Sequence, residues 1–385
     1  MMLDLFRPFM APEAKDAVAE VLTPDAQGRV YCGQGPKVDA FESSLKRVLD
    51  GERDILTLNS CTSALDLALT LAGVGPGDVV VSTPMTCSAT NSPIVTRGAS
   101  VAWADVDPVT GLISPESVER VCARLHDQRV PIGAVVAVDW AGRMCDYNAL
   151  REIAHRYGAD VIEDAAHAPL ATYAGRYQTR VGGDYIAWSF QAIKHLTTGD
   201  GGALQCPTPE ETERARLLRW YGLDRRSKAD FRCEQDITEV GFKYHMNDLA
   251  AAIGLANLPH LGDILHKHRG HARFYDKVLG DLPSLTERVT LPPPDPGSSY
   301  WLYTLLVDDR DSFQEWMLDA GVATSQVHRR NDHHTAFRVF ERPAIHEWPG
   351  LDAFSARQVS IPVGWWLSAD DLGHISEAVR GWALR

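Results

Sequence analysis

Residues 185–206 read YIAWSFQAIKHLTTGDGGALQC. The run YIAWSF is short, apolar and aromatic, and it predicts a strand buried on both faces. GGALQC predicts a second strand. Between them Lys194 stands just past the first strand, followed by the glycine-rich turn Gly199-Asp200-Gly201-Gly202. The same alternation recurs upstream. ILTL (55–58) precedes the helical CTSALDLALTLA. DVVVST (78–83), SVAWADV (100–106) and GAVVAVDW (133–140) follow with amphipathic stretches between them, and the helical YNALREIAHRYG leads into ADVIED (159–164). Buried strands separated by helices predict an α/β fold, a large and mostly parallel sheet with helices on both faces. Sites in such sheets form at the C-terminal ends of the strands.

After about residue 256 the pattern changes. A long helical stretch, LGDILHKHRGHARFYDKVLG, leads into LPPPDPGSS (291–299), whose prolines forbid regular structure. A strand, WLYTLLVDD, a helix over 311–320, a long irregular segment and a last helix from near Ser368 complete the chain. The expected division is an N-terminal segment plus large α/β domain over 1–255 and a smaller α+β domain over 256–385.

Composition excludes several classes. Hydrophobic residues are 45% and charged residues 23% of 385, which is globular composition. Lys plus Arg number 38 against 51 Asp plus Glu, and the net charge of −13 argues against nucleic acid or an anionic membrane as partner. The cysteines (Cys32, Cys61, Cys87, Cys122, Cys145, Cys206, Cys233) are scattered and contain no CxxC pair. They read as free thiols of a reducing compartment. MMLDLFRPFM carries Asp4, Arg7 and Pro8 where a signal peptide needs an unbroken apolar run, so the expected location is cytoplasmic.

Four strand ends carry polar groups. Asn59-Ser60-Cys61-Thr62-Ser63-Ala64 lies between a strand and a helix, where free backbone N–H groups favour a phosphate; an ordinary Asn or Ser N-cap explains it equally. Glu163-Asp164-Ala165-Ala166-His167 ends a buried strand, and two acids there call for a cationic partner or a helix to cap. Ser189 and Lys194 flank the third strand end, and the lysine is either a surface ammonium or one of lowered pKa suited to Schiff-base chemistry. Gly241-Phe242-Lys243-Tyr244-His245-Met246-Asn247-Asp248 opens a helix that Asn247 or Asp248 would cap. The order of phosphate seat, carboxylate and lysine meets the needs of pyridoxal phosphate: an anion site, an acid beside the pyridine nitrogen and an amine.

SCTSALDLAL, EDAAHA, SFQAIKHLTTGDGGAL and GFKYHMNDLAAAIG together resemble the DegT/DnrJ/StrS family, the nucleotide-sugar aminotransferases of the fold-type-I pyridoxal-phosphate enzymes. The resemblance runs from GQGPKVDAFESSL to VHRRND. It implies that Lys194 bonds to the cofactor and shuttles the proton. It assigns Asp164 to the pyridine nitrogen, whose charge should lower the carboxyl pKa, and Thr62, Ser63 and Ser189 to the phosphate. His167 falls near the cofactor's phenolic oxygen. Cys87 stands where relatives stack an aromatic residue on the ring, and Lys243 where they place an asparagine reaching the neighbouring subunit's phosphate. The substrate loop maps onto Val327–His334, with His328, Arg329, Asn331 and His334 as candidate substrate contacts.

His328, Asp332, His333 and His334 are also potential metal ligands, but adjacent histidines in an irregular segment more often hydrogen-bond solvent or substrate, and no metal is expected. Arg214, Arg216, Arg219, Arg225, Arg226 and Arg232 read as a solvated helix and loop, or as a site for substrate phosphate. The implied protein is a cytoplasmic homodimer with shared active sites. It transfers an amino group from an amino acid, L-glutamate by family habit, to a nucleotide-linked keto-sugar. The alternatives are a non-nucleotide ketone (a cyclitol ketone or a small phosphorylated ketone) as acceptor, or an idle homologue serving as a regulator.

Overall fold

In the computed structural model, which describes residues 2–30, 32–49, 51–226, 234–280 and 288–385, seven strands form the central sheet. They are β1 (Ile55–Leu58), β2 (Val79–Ser82), β3 (Ser100–Trp103), β4 (Ile132–Val138), β5 (Asp160–Asp164), β8 (Tyr185–Ser189) and β9 (Gly202–Gln205); β6 (Thr172–Tyr173) and β7 (Arg176–Tyr177) make a separate ribbon. The order is β1-β9-β8-β5-β4-β2-β3. The pairings from β8 to β3 are parallel, whereas β9 is antiparallel to both β8 and β1. Only β9 is reversed, because no helix lies between it and β8 to carry the chain back across the sheet. That reversal leaves Lys194 at the edge where the other strands end.

Alternate residues of the strands serve opposite layers. Val80, Val101, Ala134, Val136 and Ile162 pack with the helix Cys61–Leu71, while Val79, Val81, Val135, Ala137 and Val161 pack with the helices Pro115–Asp127 and Tyr147–Arg156. The helix Cys61–Leu71 is buried almost all round, which explains its nearly continuous apolar sequence.

A second sheet, β10 (Val289–Thr290), β11 (Tyr303–Val307) and β12 (Gln358–Ile361), is wholly antiparallel. The helices Leu261–Gly280, Arg310–Asp319 and Ala369–Ala383 share its core. The segment expected to be irregular in fact holds β12 and the helix Pro349–Arg357. Gln-Val-Ser-Ile is too short and too polar to be read as a strand alone; pairing with β11 makes it one. The two halves are also laced together: Leu3 N–H donates to Gly321 O at 2.8 Å, and Val101 N–H to Phe340 O at 2.9 Å. Among the described residues no helix is long and apolar enough to cross a membrane. Cys233 and Arg232 lie outside the described residues.

The paired acids of β5 part company because neighbouring strand residues face opposite ways. Among the described residues Glu163 finds no cation. It meets a second carboxyl, Asp139, and both are fully buried. Gln178 Nε2 donates to both, at 3.2 Å to Asp139 and 3.0 Å to Glu163, while Gly183 N–H and Tyr147 O–H hold the outer oxygens at 2.7 and 2.8 Å. Burial raises both pKa values, Asp139 to about 6 and Glu163 well above the usual range, where the neighbouring Asp139 adds to the rise. The folded chain thus holds a proton that the unfolded chain releases near pH 4. The pair's favourable contribution is full below that pH and is lost as pH rises through about 6 and beyond. Glu163→Gln mimics the protonated acid. The wild-type melting temperature should therefore fall by a few degrees relative to this variant between pH 5 and pH 8, measured by calorimetry.

Candidate active site

The C-terminal ends of the parallel strands open into a cavity of about 450 Å³. At one end is the start of the helix Cys61–Leu71. Ser60 caps it, accepting from Ser63 N–H at 3.0 Å, and Ser63 Oγ donates to Asn59 Oδ1 at 2.6 Å. A Cβ on Gly202 would lie 2.5 Å from Cys61 N, so the glycine lets the helix terminus sit against β9. The GDGG turn is thus part of the seat as well as a connection.

Thr62, Cys87, Asp164, His167, Ser189, Lys194 and His328 all line this cavity. Five separate segments, spread over more than 260 residues of chain, supply them. Asp164 Oδ2 accepts from Thr90 Oγ1 at 2.7 Å, and Oδ1 accepts from Ala166 N–H at 3.1 Å and from Cys61 Sγ at 3.9 Å. Burial nonetheless raises its carboxyl pKa, with Thr90, Ala166 and then Lys194 opposing the rise. The lowering expected from the resemblance is that of a carboxyl beside the protonated pyridine nitrogen. The protein's own donors do not outweigh the desolvation, and the lowering requires a cation beside the carboxylate.

Lys194 is half-buried as a residue, but its ammonium is enclosed by protein. Burial lowers its pKa to about 8, with Asp164 acting in the other direction. His167 is buried and His328 half-buried, with rings 5.8 Å apart and nearly parallel at 9°. Burial pushes His167 well below the usual imidazole range and His328 to about 4, and Lys194 adds to both. Both are neutral at physiological pH. Their buried Nδ1 (His167) and Nε2 (His328) have no partner among the described residues.

Other candidates lie elsewhere. Ser63 is committed to the helix cap. The exposed Lys243 rests its ammonium 4.0 Å above the Trp220 ring and does not enter its own chain's cavity. Arg329 is exposed and donates to His333 O at 3.3 Å, and His334 packs toward Phe337. Asn331 is fully buried: Nδ2 donates to Thr86 O at 2.8 Å, and Oδ1 accepts from Asn91 Nδ2 at 2.9 Å. It ties the histidine-rich loop to the segment that carries Cys87. Arg214, Arg216, Arg219 and Arg226 are paired with Glu239, Glu42 and Glu213, which favours the reading of a structural charge network. The cavity residues absent from the sequence reading are Trp301, Phe6 and Thr90. Trp301 stands two residues past the proline-rich turn, but no spacing rule connects it to Lys194.

A large sheet with one reversed strand and a buried lysine facing a carboxylate define a fold-type-I aminotransferase. The family model described as "DegT/DnrJ/EryC1/StrS aminotransferase family" matches residues 11–380, and the chain belongs to that family. Among solved structures, AtS13 from Actinomadura melliaura is 40% identical, with a TM-score of 0.87 and coverage of 99% of this chain and 98% of that one. The sugar aminotransferase CalS13 from Micromonospora echinospora is 35% identical, also at 0.87, with 99% and 100% covered. A dTDP-4-dehydro-2,3,6-trideoxy-D-glucose 4-aminotransferase from Saccharopolyspora spinosa is 31% identical over 84% of this chain and 83% of that protein.

Asn331→Ala would leave Thr86 O buried without its donor and Asn91 Nδ2 with its bond to Thr83 O alone. Urea unfolding should show a loss of about 1–3 kcal/mol, and a loss below about 0.5 kcal/mol would mean that the loop is not held this way.

Proposed function

We propose that the protein is a cytoplasmic homodimer that moves an amino group from an amino acid, L-glutamate in the first instance, to a nucleotide-linked keto-sugar, using pyridoxal phosphate. The observation that carries this reading is the Lys194 amine, enclosed in one cavity with the Asp164 carboxylate at the strand ends. The relatives support the sugar: one of 35% identity is a sugar aminotransferase, and one of 31% carries a dTDP-linked keto-sugar in its name.

The residues present suit the cofactor. The helix start at Ser60–Ser63 and the Ser189 hydroxyl would hold a phosphate, since unpaired N–H groups and the helix dipole favour an anion. Asp164, kept in place by Thr90 and Ala166, would face the protonated ring nitrogen, and His167 would donate or accept beside the ring. When bound, pyridoxal phosphate supplies an aldehyde carbon and an electron-withdrawing ring that accepts charge from the substrate carbon.

The chain's own groups do the rest. With a pKa of about 8, Lys194 is the free amine in roughly a tenth of molecules at pH 7 and can take a proton and return it. Neutral His167 and His328 offer hydrogen bonds to substrate hydroxyls without adding charge next to the lysine. Lys243, exposed beside Trp220, would reach a neighbouring copy's cofactor phosphate in this reading. In this reading residues 1–255 build the cofactor seat and 256–385 close over the substrate, contributing Trp301 and His328.

Purified wild type supplied with the cofactor should show a visible absorption band, and Lys194→Ala should lack it while keeping its far-ultraviolet circular dichroism. Glutamate should bleach the band with release of 2-oxoglutarate before any acceptor is added, as ping-pong kinetics demand. A chain that stays colourless with added cofactor would sink the proposal. Turnover of a cyclitol ketone or small phosphorylated ketone, with none of a panel of nucleotide-linked keto-sugars, would overturn the acceptor class.

A further inference from the structure

The Lys194 ammonium lies 3.4 Å from the centre of the Trp301 indole. Among the described residues no carboxylate oxygen comes within 4.0 Å of it in an ion pair, so the aromatic ring is its close electrostatic partner. Trp301 is 4% exposed, and its Nε1 donates to Ile193 O at 3.0 Å, the carbonyl just before the lysine. The indole is thus tied to the backbone segment that carries the amine.

The ring is held in a stack. His167 lies 3.9 Å from it at 22°, and Phe6 lies 4.9 Å from it at 22°. Phe6 belongs to an N-terminal strap that is itself pinned. Ala323 N–H donates to Leu3 O at 3.0 Å, and the indoles of Trp366 and Trp365 donate to Asp4 O at 3.2 Å and Arg7 O at 3.3 Å. A run of contacts therefore leads from the outer strap through Phe6 and Trp301 to Lys194.

We propose that Trp301 is a positioning residue for Lys194, holding the unbonded ammonium on its ring face between the steps in which this amine is covalently engaged and free. The proposal rests on the aminotransferase reading above. A lysine that takes up and gives back a proton must be steadied as a cation without being locked as one. A carboxylate at contact distance would hold the proton strongly. An aromatic face attracts the charge through its quadrupole and offers no lone pair, and the attraction grows when the site is desolvated, as here. Burial already pulls the amine toward neutrality, with a pKa of about 8, and the ring face opposes that pull. Phe6 acts one step further out by keeping the indole in place.

The test uses the full-length chain stripped of cofactor, so that the readout is the lysine and not turnover. Acetylation of Lys194 by acetic anhydride, quantified by mass spectrometry of its peptide across pH 6–10, gives the midpoint of its titration. Trp301→Leu and Trp301→Met, which remove the ring, should both shift the midpoint down by about one unit, roughly a tenfold change in the ammonium-to-amine ratio. Trp301→Phe keeps a ring face but loses the bond to Ile193 O, and should stay within about 0.3 unit of wild type. Phe6→Ala should shift the midpoint in the same direction by less. Thermal melts identify any variant that fails to fold, and the leucine and methionine variants stand in for each other. An unchanged midpoint in the folded ring-less variants, or a phenylalanine variant displaced as far as they are, overturns the proposal. If wild type never takes up the cofactor, the functional reading fails instead, while the midpoints still decide whether Trp301 holds the lysine.

Discussion

Placing an amine charge inside the fold costs several kcal/mol unless its surroundings compensate, and the architecture around Lys194 follows from that constraint. The lysine sits where β8 and the reversed β9 meet, beside the ends of the parallel strands. Asp164 supplies the negative charge in the same cavity, at the end of β5 next door. Trp301 covers the ammonium, and among the described residues no carboxylate salt bridge takes its place. The outcome is a lysine whose pKa falls to about 8, close to neutrality but still basic. Such a value suits a group that must both give and receive a proton.

The same desolvation acts on every titratable group nearby, with results that depend on the partner. Glu163 and Asp164 are adjacent in sequence yet face opposite layers of the sheet. Asp164 looks into the cavity and is steadied by Thr90, Ala166 and Lys194. Glu163 looks into the core, where burial and the neighbouring Asp139 raise its pKa. His167 and His328, close to the lysine, are pushed toward neutrality, and each keeps a ring nitrogen without a partner among the described residues. The cavity is therefore lined by few formal charges and several neutral polar groups, which is how a pocket recognises hydroxyl-rich molecules without fixing them by charge.

The large sheet could be read almost strand by strand, because ILTL, DVVVST and ADVIED are β-branched runs bounded by turns and separated by amphipathic helices. Lys194, Asp164, Thr62 and Ser189 were legible for the related reason that they stand at strand ends. β12 was not, since a four-residue strand with two polar side chains has no pattern of its own and exists through its pairing with β11. Asn331 was read as a substrate contact from its place in the loop, while its side chain is engaged by Thr86 and Asn91. Trp301 and Phe6 gave no sign, being separated from Lys194 by more than a hundred residues on either side.

By itself the sequence determined the layered α/β class, capped starts for two helices within a choice of neighbouring residues that the structure narrows to Ser60 and Asn247, and the candidate cofactor-binding residues at the strand ends. These follow from periodicity and capping, which act over a few residues. Only the tertiary structure decided which acid faces the lysine, which faces another acid, and which ring lies on the ammonium. Desolvation and ring contact depend on atoms a few ångströms away in space. Chain folding, not sequence spacing, brings Phe6, Trp301 and Lys194 to that distance.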